Sequence, residues 1–65
     1  MKMANDNGEA VYVNWVTKHG KDYLSVQGIG DTKVIGRDRQ KRRSRLFERE
    51  KDAYAYLSRH GFRNV

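Results

Sequence analysis

AVYVNWVT, residues 10–17, is the most strand-like stretch of the chain, because β-branched and aromatic residues dominate it. Successive side chains of a strand point to opposite faces, so Val11, Val13 and Trp15 share one face while Tyr12 lies on the other. Bulky side chains therefore occupy both faces. The pattern predicts a β-strand, and the neighbouring elements can be placed outward from it.

A hairpin is predicted directly after this strand. KHGKD, residues 18–22, places a glycine in a polar cluster between two strand patterns, which is typical of a hairpin turn. DYLSVQGI, residues 22–29, then predicts the second strand, with Leu24 and Val26 on one face and Tyr23 on the other.

A third strand is predicted at TKVIGR, residues 32–37, after a turn in which Gly28 and Gly30 permit positive φ. Gly36 weakens this strand or marks a bulge in it. Three short strands in succession predict an antiparallel meander. One face of such a sheet must be covered for the sheet to be stable.

The segment 47–60 has a helical period, and it predicts a helix that begins at residue 47 or 48 and ends at residue 60. At about 100° per residue, Ala53 and Leu57 lie at the centre of an apolar stripe. The sequence HGF that closes the segment predicts a Schellman ending. In that ending Gly61 takes the left-handed conformation and Phe62 packs on Leu57.

These elements predict an α+β fold in which a small three-stranded antiparallel β-meander packs against one C-terminal α-helix, in the order βββα, as a single domain over residues 10–65. Residues 1–9 are polar and predict a disordered leader. The predicted core draws on every element: Val11, Val13, Trp15, Leu24, Val26, Val34 or Ile35, Phe47, Ala53, Leu57 and Phe62. The predicted open face of the sheet carries Tyr12, Asn14, Tyr23, Ser25 and Gln27.

The composition excludes several classes of site. No cysteine occurs, which excludes disulfides and thiolate ligands and suits the cytosol. His19 and His60 lie far apart without partners at metal-ligand spacing, so neither a metal nor a cofactor is predicted. No apolar run approaches the roughly 18 residues of a membrane helix, and MKMANDNGEA lacks the apolar core of a secretory signal. We expect a cytoplasmic protein that is not secreted and has no membrane partner.

Positive charge is concentrated in the second half of the chain. Residues 1–32 hold three Lys against four acids, a net charge of −1, and residues 33–65 hold eleven Lys or Arg against four acids, a net charge of +7, which together give +6. RDRQKRRSR, residues 37–45, contains six basic residues opposed only by Asp38. Such asymmetry predicts a surface that binds a polyanion.

This basic segment supplies the first candidates for contact with nucleic acid, because guanidinium groups bind phosphates bidentately and stay charged. The candidate phosphate contacts are Lys33, Arg37, Arg39, Lys41, Arg42, Arg43 and Arg45. Tyr12 and Tyr23 are further candidates, since the bases of a single strand stack on exposed aromatic rings. The alternatives are a solubilising loop or a nuclear address for the basic segment, and half-buried packing for the two tyrosines.

Three-stranded sheets backed by one helix occur among DNA-binding domains. The predicted element order over residues 10–60, with RLFEREKDAYAYL at residues 45–57, resembles the plant AP2-type domains and the arm-binding domains of phage integrases. Those domains insert the sheet into the major groove. The resemblance is one of topology and spacing, without a diagnostic motif, and it implies DNA more than RNA as a partner.

Two functions stay open on the sequence alone. The first is a small basic nucleic-acid-binding protein. The second is a small phage- or plasmid-type modulator that docks on an acidic surface of a larger host protein, toward which the same charge would steer it. An enzyme is not predicted and no catalytic residue is assigned, because no serine lies in a nucleophile motif and Glu48, Glu50 and Asp52 diverge on a helix. The oligomeric state is left open.

Overall fold

The computed structural model describes residues 1–65, which form a large antiparallel sheet, a small two-stranded sheet and one helix. The elements, in chain order, are β1 (Lys2–Ala4), β2 (Ala10–Lys18), β3 (Lys21–Gly28), β4 (Val34–Ile35), β5 (Lys41–Arg42), β6 (Ser44–Phe47), α1 (Glu50–Arg59) and β7 (Arg63–Asn64). The large sheet has the strand order β6-β3-β2-β1-β7, and the small sheet pairs β4 with β5. The predicted α+β class with a single C-terminal helix is confirmed, but the main sheet has five strands rather than three.

The β2–β3 hairpin forms as predicted. Its two-residue turn, His19 and Gly20, has φ values of 52° and 77°. Positive φ at both central residues is the geometry whose twist matches that of the flanking strands, and it fixes their register. Tyr12 lies opposite Gln27 in that register, and Val11 and Val13 are buried on the other face.

The predicted third strand is wrong in its partner and its extent. Only Val34–Ile35 of the segment 32–37 is a strand, and it pairs with β5. The place beside β3 belongs to β6, with Leu24 opposite Phe47. Each segment offers only two adjacent apolar residues, Val34 and Ile35 in one and Leu46 and Phe47 in the other, so the local pattern could not decide which of them pairs with β3.

A close backbone crossing explains why the chain leaves the main sheet after β3. A Cβ built on Gly28 would lie 1.9 Å from the carbonyl oxygen of Thr32. The Ala10 carbonyl accepts the Ile29 amide at 2.9 Å, and the Ala10 amide donates to the Thr32 hydroxyl at 3.2 Å. These contacts turn the chain over the end of β3 and bring Val34 into the core.

The prediction that residues 1–9 are a disordered leader is wrong for β1. Lys2–Ala4 pairs with β2 on one side and with β7 on the other. Met3 lies opposite Val11 and is 7% exposed, so its side chain adds to the core. The polar composition of residues 1–9 gave no sign of this short strand, because Met3 is the only large apolar residue within Lys2–Ala4.

Asn5 organises the turn between β1 and β2. Its side-chain oxygen accepts the amides of Asn7 and Glu9, both at 3.1 Å. Its side-chain nitrogen donates to the Glu9 carboxylate at 2.8 Å and to the His60 carbonyl at 3.1 Å. One asparagine thus satisfies the turn and ties it to the end of α1.

The helix ends as predicted. The Phe62 amide donates to the Leu57 carbonyl at 2.9 Å, the Gly61 amide donates to the Ser58 carbonyl at 3.0 Å, and Gly61 has φ of 77°. These are the two bonds of the Schellman motif. The helix begins later than predicted, at Glu50, because the residues through Phe47 belong to β6. It is neither long nor apolar enough to span a membrane.

The core lies between the main sheet and α1. Its buried residues are Met3, Val11, Val13, Leu24, Val26, Val34, Phe47, Ala53, Tyr56, Leu57 and Phe62. Most of the predicted core is confirmed, and Met3 and Tyr56 are additions to it. Trp15 was predicted to be buried and is 57% exposed. The helix packs on β3 and β6, so it leaves uncovered the end of β2 on which Trp15 lies.

Candidate nucleic-acid interface

Basic side chains from separate parts of the chain line one groove between the β4–β5 hairpin, β6 and α1. Two adjoining cavities of about 520 and 400 Å³ form it, and they share Arg37, Arg45, Tyr56 and Arg59 as lining residues. We call this the arginine groove. Its basic lining residues are Arg37, Arg39, Arg45, Arg49, Arg59 and His60.

The β4–β5 hairpin places Arg37 and Arg39 at the rim of the groove. The Gly36 amide donates to the Gln40 carbonyl at 2.8 Å, and the Arg39 amide donates to the Gly36 carbonyl at 2.9 Å. Arg39 has φ of 63°, a left-handed conformation that the tight turn imposes. Both arginine side chains are exposed, and neither has an acidic partner.

An ion pair between Asp38 and Arg42 braces the same hairpin. The hydrogen bond from the Arg42 guanidinium, followed by the Gln40 amide at 3.1 Å, lowers the pKa of the Asp38 carboxyl below its usual value. Arg42 is thereby matched by an opposite charge inside the hairpin. Its contribution to the net field of the surface is correspondingly smaller than that of Arg37 or Arg39.

Arg45 forms the inner wall of the groove and is half-buried. Its guanidinium lies over the Phe47 ring at 4.4 Å and near the Tyr56 ring at 5.6 Å. It donates one hydrogen bond, from Nη1 to the Ile35 carbonyl at 3.2 Å, while its buried Nε has no partner. Aromatic faces and one carbonyl hold the guanidinium in place, but no carboxylate neutralises it.

Tyr56 joins the hairpin to the helix. Its hydroxyl accepts the Ile35 amide at 2.8 Å, and its ring lies 5.6 Å from the Phe47 ring and 4.4 Å from the His60 ring. Ile35 is therefore held through its amide by Tyr56 and through its carbonyl by Arg45. The groove is preorganised by the core, because the side chains that shape it also pack the helix on the sheet.

The charge of the groove is uneven along its length. Glu48 and Asp52 line it near the start of α1, and the arginines dominate elsewhere. The chain contains two ion pairs, Arg42 with Asp38 and Arg63 with Asp6. None of these four residues lines the groove. The groove thus presents several unpaired cations to one side of the molecule.

The structure brings some of the predicted site residues together and separates others. Arg37, Arg39 and Arg45 converge in the arginine groove. Four predicted contacts are exposed but lie outside it: Lys33, Lys41, Arg42 and Arg43. Tyr12 and Tyr23 lie on the other side of the sheet from α1.

Sequence analysis missed Arg49, Arg59 and His60 as members of the groove. Arg59 follows Tyr56 by three residues, a spacing that places both on neighbouring positions of a helix. The available signal for Arg59 was therefore a tyrosine at the edge of the apolar stripe followed by an arginine one turn later. That pattern indicates the groove only when β4 is known to pack against Tyr56.

The uncovered side of the main sheet forms a second surface, which we call the open sheet face. Strand register and alternation place Tyr12 and Asn14 of β2 beside Gln27 and Ser25 of β3, as predicted. The remaining positions on this face are Lys2, Ala4, Ala10, Val16, Lys18, Lys21, Tyr23, Ser44, Leu46 and Arg63. None of these positions is acidic.

No protein-family model, curated protein or solved structure matches this chain. The resemblance to AP2-type and arm-binding domains therefore stays a prediction from the sequence. No group of three or more His, Cys, Asp or Glu side chains is arranged to hold a metal ion.

Proposed function

We propose that this protein binds nucleic acid, DNA in preference to RNA, and that the arginine groove contacts the phosphates. The groove gathers three of the predicted basic residues, Arg37, Arg39 and Arg45, with Arg59 and Arg49 from outside the basic segment. The preference for DNA rests on the element-order resemblance. The other exposed cations of the β4–β5 hairpin would extend the contact along the backbone of the polymer.

The observation that carries this proposal is the state of Arg45. A half-buried guanidinium is held over two aromatic rings with a buried donor unsatisfied and no carboxylate beside it. Partial removal of a cation from water is costly unless it gains a partner. A phosphate in the groove would place an opposite charge beside the guanidinium, and guanidinium groups match phosphate geometry bidentately.

The surrounding charges strengthen the same interpretation. Arg37 and Arg59 line both cavities and are exposed without partners, so they can turn toward a ligand in the groove. The whole chain carries a net charge of +6, which would speed association with a polyanion. Binding of this kind depends steeply on salt, because each neutralised phosphate releases counterions.

Fluorescence anisotropy tests the proposal directly. The protein is titrated into labelled duplex DNA, single-stranded DNA and RNA of matched length at two salt concentrations, with heparin as competitor. We expect salt-dependent binding that prefers one polymer and survives heparin. Binding that is absent near physiological salt, or no tighter than to heparin, would contradict the proposal.

A matched pair of variants locates the contact. Arg59→Gln removes one cation from the groove, and Lys51→Gln removes one cation from an exposed position of the same helix outside the groove. We expect Arg59→Gln to reduce the steepness of the log–log salt dependence on duplex DNA by about 0.9, the value for one phosphate contact. Lys51→Gln should leave it close to that of the parent chain. Equal effects of the two changes would indicate a diffuse field instead of a site.

The alternative function is docking on an acidic surface of a larger protein, and one observation favours it. Trp15 is 57% exposed, and tryptophan is enriched among the residues that dominate protein interfaces. If the titrations show no nucleic-acid binding, Trp15→Ala and Arg59→Gln become the variants to compare in capture of protein partners. Loss of a partner with both would support the alternative.

A further inference from the structure

We propose that the open sheet face binds the bases of single-stranded nucleic acid, with Tyr12 and Tyr23 as stacking platforms. This inference rests on the proposed function, because it assigns to that function the form of polymer and the contacts to its bases. It concerns the side of the sheet opposite α1, which the arginine groove does not use.

The charge of the open sheet face fits a polyanion. Basic residues stand near its borders: Lys2 on β1, Arg63 on β7, and Lys18 with Lys21 beside the hairpin turn. Arg63 is paired with Asp6, which leaves the three lysines without acidic partners. No strand position of the face is acidic, and the one acid at its border, Asp6, is paired with Arg63.

Tyr12 is placed for stacking. It is the third residue of β2, where the strand pairs with β1 on one side and β3 on the other, and it is nevertheless 47% exposed. Its hydroxyl makes no hydrogen bond within the chain. A large aromatic ring that is fixed on a sheet and open to solvent offers a flat surface to a base at little cost in side-chain freedom.

The second tyrosine lies at a useful distance along the sheet. Tyr23 is half-buried and lies opposite Val16, four residues along β2 from Tyr12, so the two positions are about 14 Å apart along the strand direction. Asn14 and Ser25 oppose each other in the interval. The face therefore alternates aromatic, polar and aromatic groups, with hydrogen-bonding side chains between two stacking positions.

The open sheet face and the arginine groove meet at β6. Leu46 points to the open face and also lines the groove. A flexible strand can pass around this edge, with its phosphates in the groove and its bases on the face. A duplex cannot use the tyrosines in the same way, because its bases are already stacked on one another and only their edges are accessible.

The test compares a strand that has bases with one that has none. The probes are a labelled oligothymidylate of about 12 nucleotides, within the range of single-strand sites, and an abasic strand of the same length. We expect the parent chain to bind the oligothymidylate on the order of tenfold more tightly than the abasic strand, and Tyr12→Leu to reduce that difference severalfold. Tyr12→Phe, which keeps the ring, should restore it.

Two further variants separate this inference from the proposed function. Tyr54→Leu removes an exposed ring from α1, outside both surfaces, and should change nothing. Arg59→Gln should weaken binding of both strands equally. If both strands bind equally and only Arg59→Gln weakens them, the inference is overturned and the proposed function stands. Absence of binding to either strand, or a preference for duplex, overturns the inference, and absence of binding to all polymers overturns both.

Discussion

The arginine groove and the open sheet face are both cationic, but they hold their charge in different ways. Arg45 in the groove is fixed between aromatic rings and the Ile35 carbonyl, and Tyr56 fixes the hairpin around it. The lysines of the open face, such as Lys18 and Lys21, are exposed beside a turn and carry their charge at the end of long four-carbon side chains. The arginine groove presents positive charge at defined positions. The open sheet face presents less precisely placed positive charge around the rings of its tyrosines.

Under the proposed function, this difference would give the two surfaces separate physical roles. A preorganised guanidinium loses little conformational freedom when it binds a phosphate, so a fixed groove favours ligands whose phosphates match its geometry. Lysine ammonium groups on long side chains act as point charges, so they attract a polyanion without fixing its position on the surface. Changes that disturb the packing around the groove should therefore affect binding there far more than on the open face.

Gly28→Ala should have the largest effect on stability, because it disrupts the close backbone crossing that positions β4 beside the groove. The new methyl group would lie 1.9 Å from the Thr32 carbonyl oxygen, so the backbone must move. We expect a loss of about 3 kcal/mol in the free energy of unfolding, measured by urea titration. Gly8→Ala is the control, since no atom lies within 4 Å of its Cβ and only its φ of 80° opposes the change. A smaller effect at Gly28 than at Gly8 would contradict the crossing as the cause.

Tyr56→Phe should disconnect the hairpin from the helix while leaving the open face unchanged. The Ile35 amide loses its acceptor, and an unsatisfied, partly buried donor costs about 1–2 kcal/mol in the free energy of unfolding. Tyr54→Phe is the matched control, because Tyr54 is exposed on the same helix. Thermal unfolding with nucleic-acid titration should show Tyr56→Phe reducing both stability and groove binding. Unchanged groove binding would mean that Ile35 is held by other contacts.

Arg45→Met should separate binding from stability in the groove. Methionine keeps a long apolar side chain over Phe47 and removes a half-buried cation that lacks an acidic partner. We expect the free energy of unfolding to change by less than about 1 kcal/mol, because the lost hydrogen bond to Ile35 is offset by the lost desolvation penalty. Affinity for nucleic acid should nevertheless fall. Retained affinity in anisotropy titrations would exclude Arg45 as a phosphate contact.

The smallest effect concerns the pH dependence of the hairpin. The pKa of Asp38 is lowered in the folded chain, chiefly by Arg42. The ion pair therefore stabilises the fold above the unfolded-state pKa of this carboxyl, and that contribution is lost as the pH falls through the lowered folded-state pKa. NMR titration should show the Asp38 pKa rising toward its usual value in Arg42→Gln. Below the lowered pKa, the stabilities of the parent chain and the variant should converge.

Local patterns in the sequence predicted the β2–β3 hairpin and the end of α1 because short-range contacts determine both. The turn at Gly20 and the Schellman bonds at Gly61 involve residues close together in the chain. The assignment of β6 beside β3, and the pairing of β1 with β7, depend on competition between distant segments. Period-two alternation does not report which partner a strand takes.

The site was predictable in composition but not in shape. Arg37, Arg39 and Arg45 stand out in the sequence as members of one basic segment, but the sequence pattern does not distinguish them from the other cations of that segment. The structure separates Arg45, held over aromatic rings, from Arg42, paired with Asp38. That distinction depends on where Tyr56 and Phe47 lie, and their positions follow from the long-range packing of α1 on β6.

The pairing of β1 with β7 has a consequence for how the chain folds. Met3 lies opposite Asn64, and Asn5 contacts the His60 carbonyl, so these contacts close nearly the whole chain into one loop. Closing a long loop costs more entropy than closing a two-residue hairpin, and contacts of this kind form late. We expect hydrogen exchange to find the β1 and β7 amides opening first and those of Val13 and Val26 last. The β1–β7 pairing would then open while the β2–β3 hairpin stays closed.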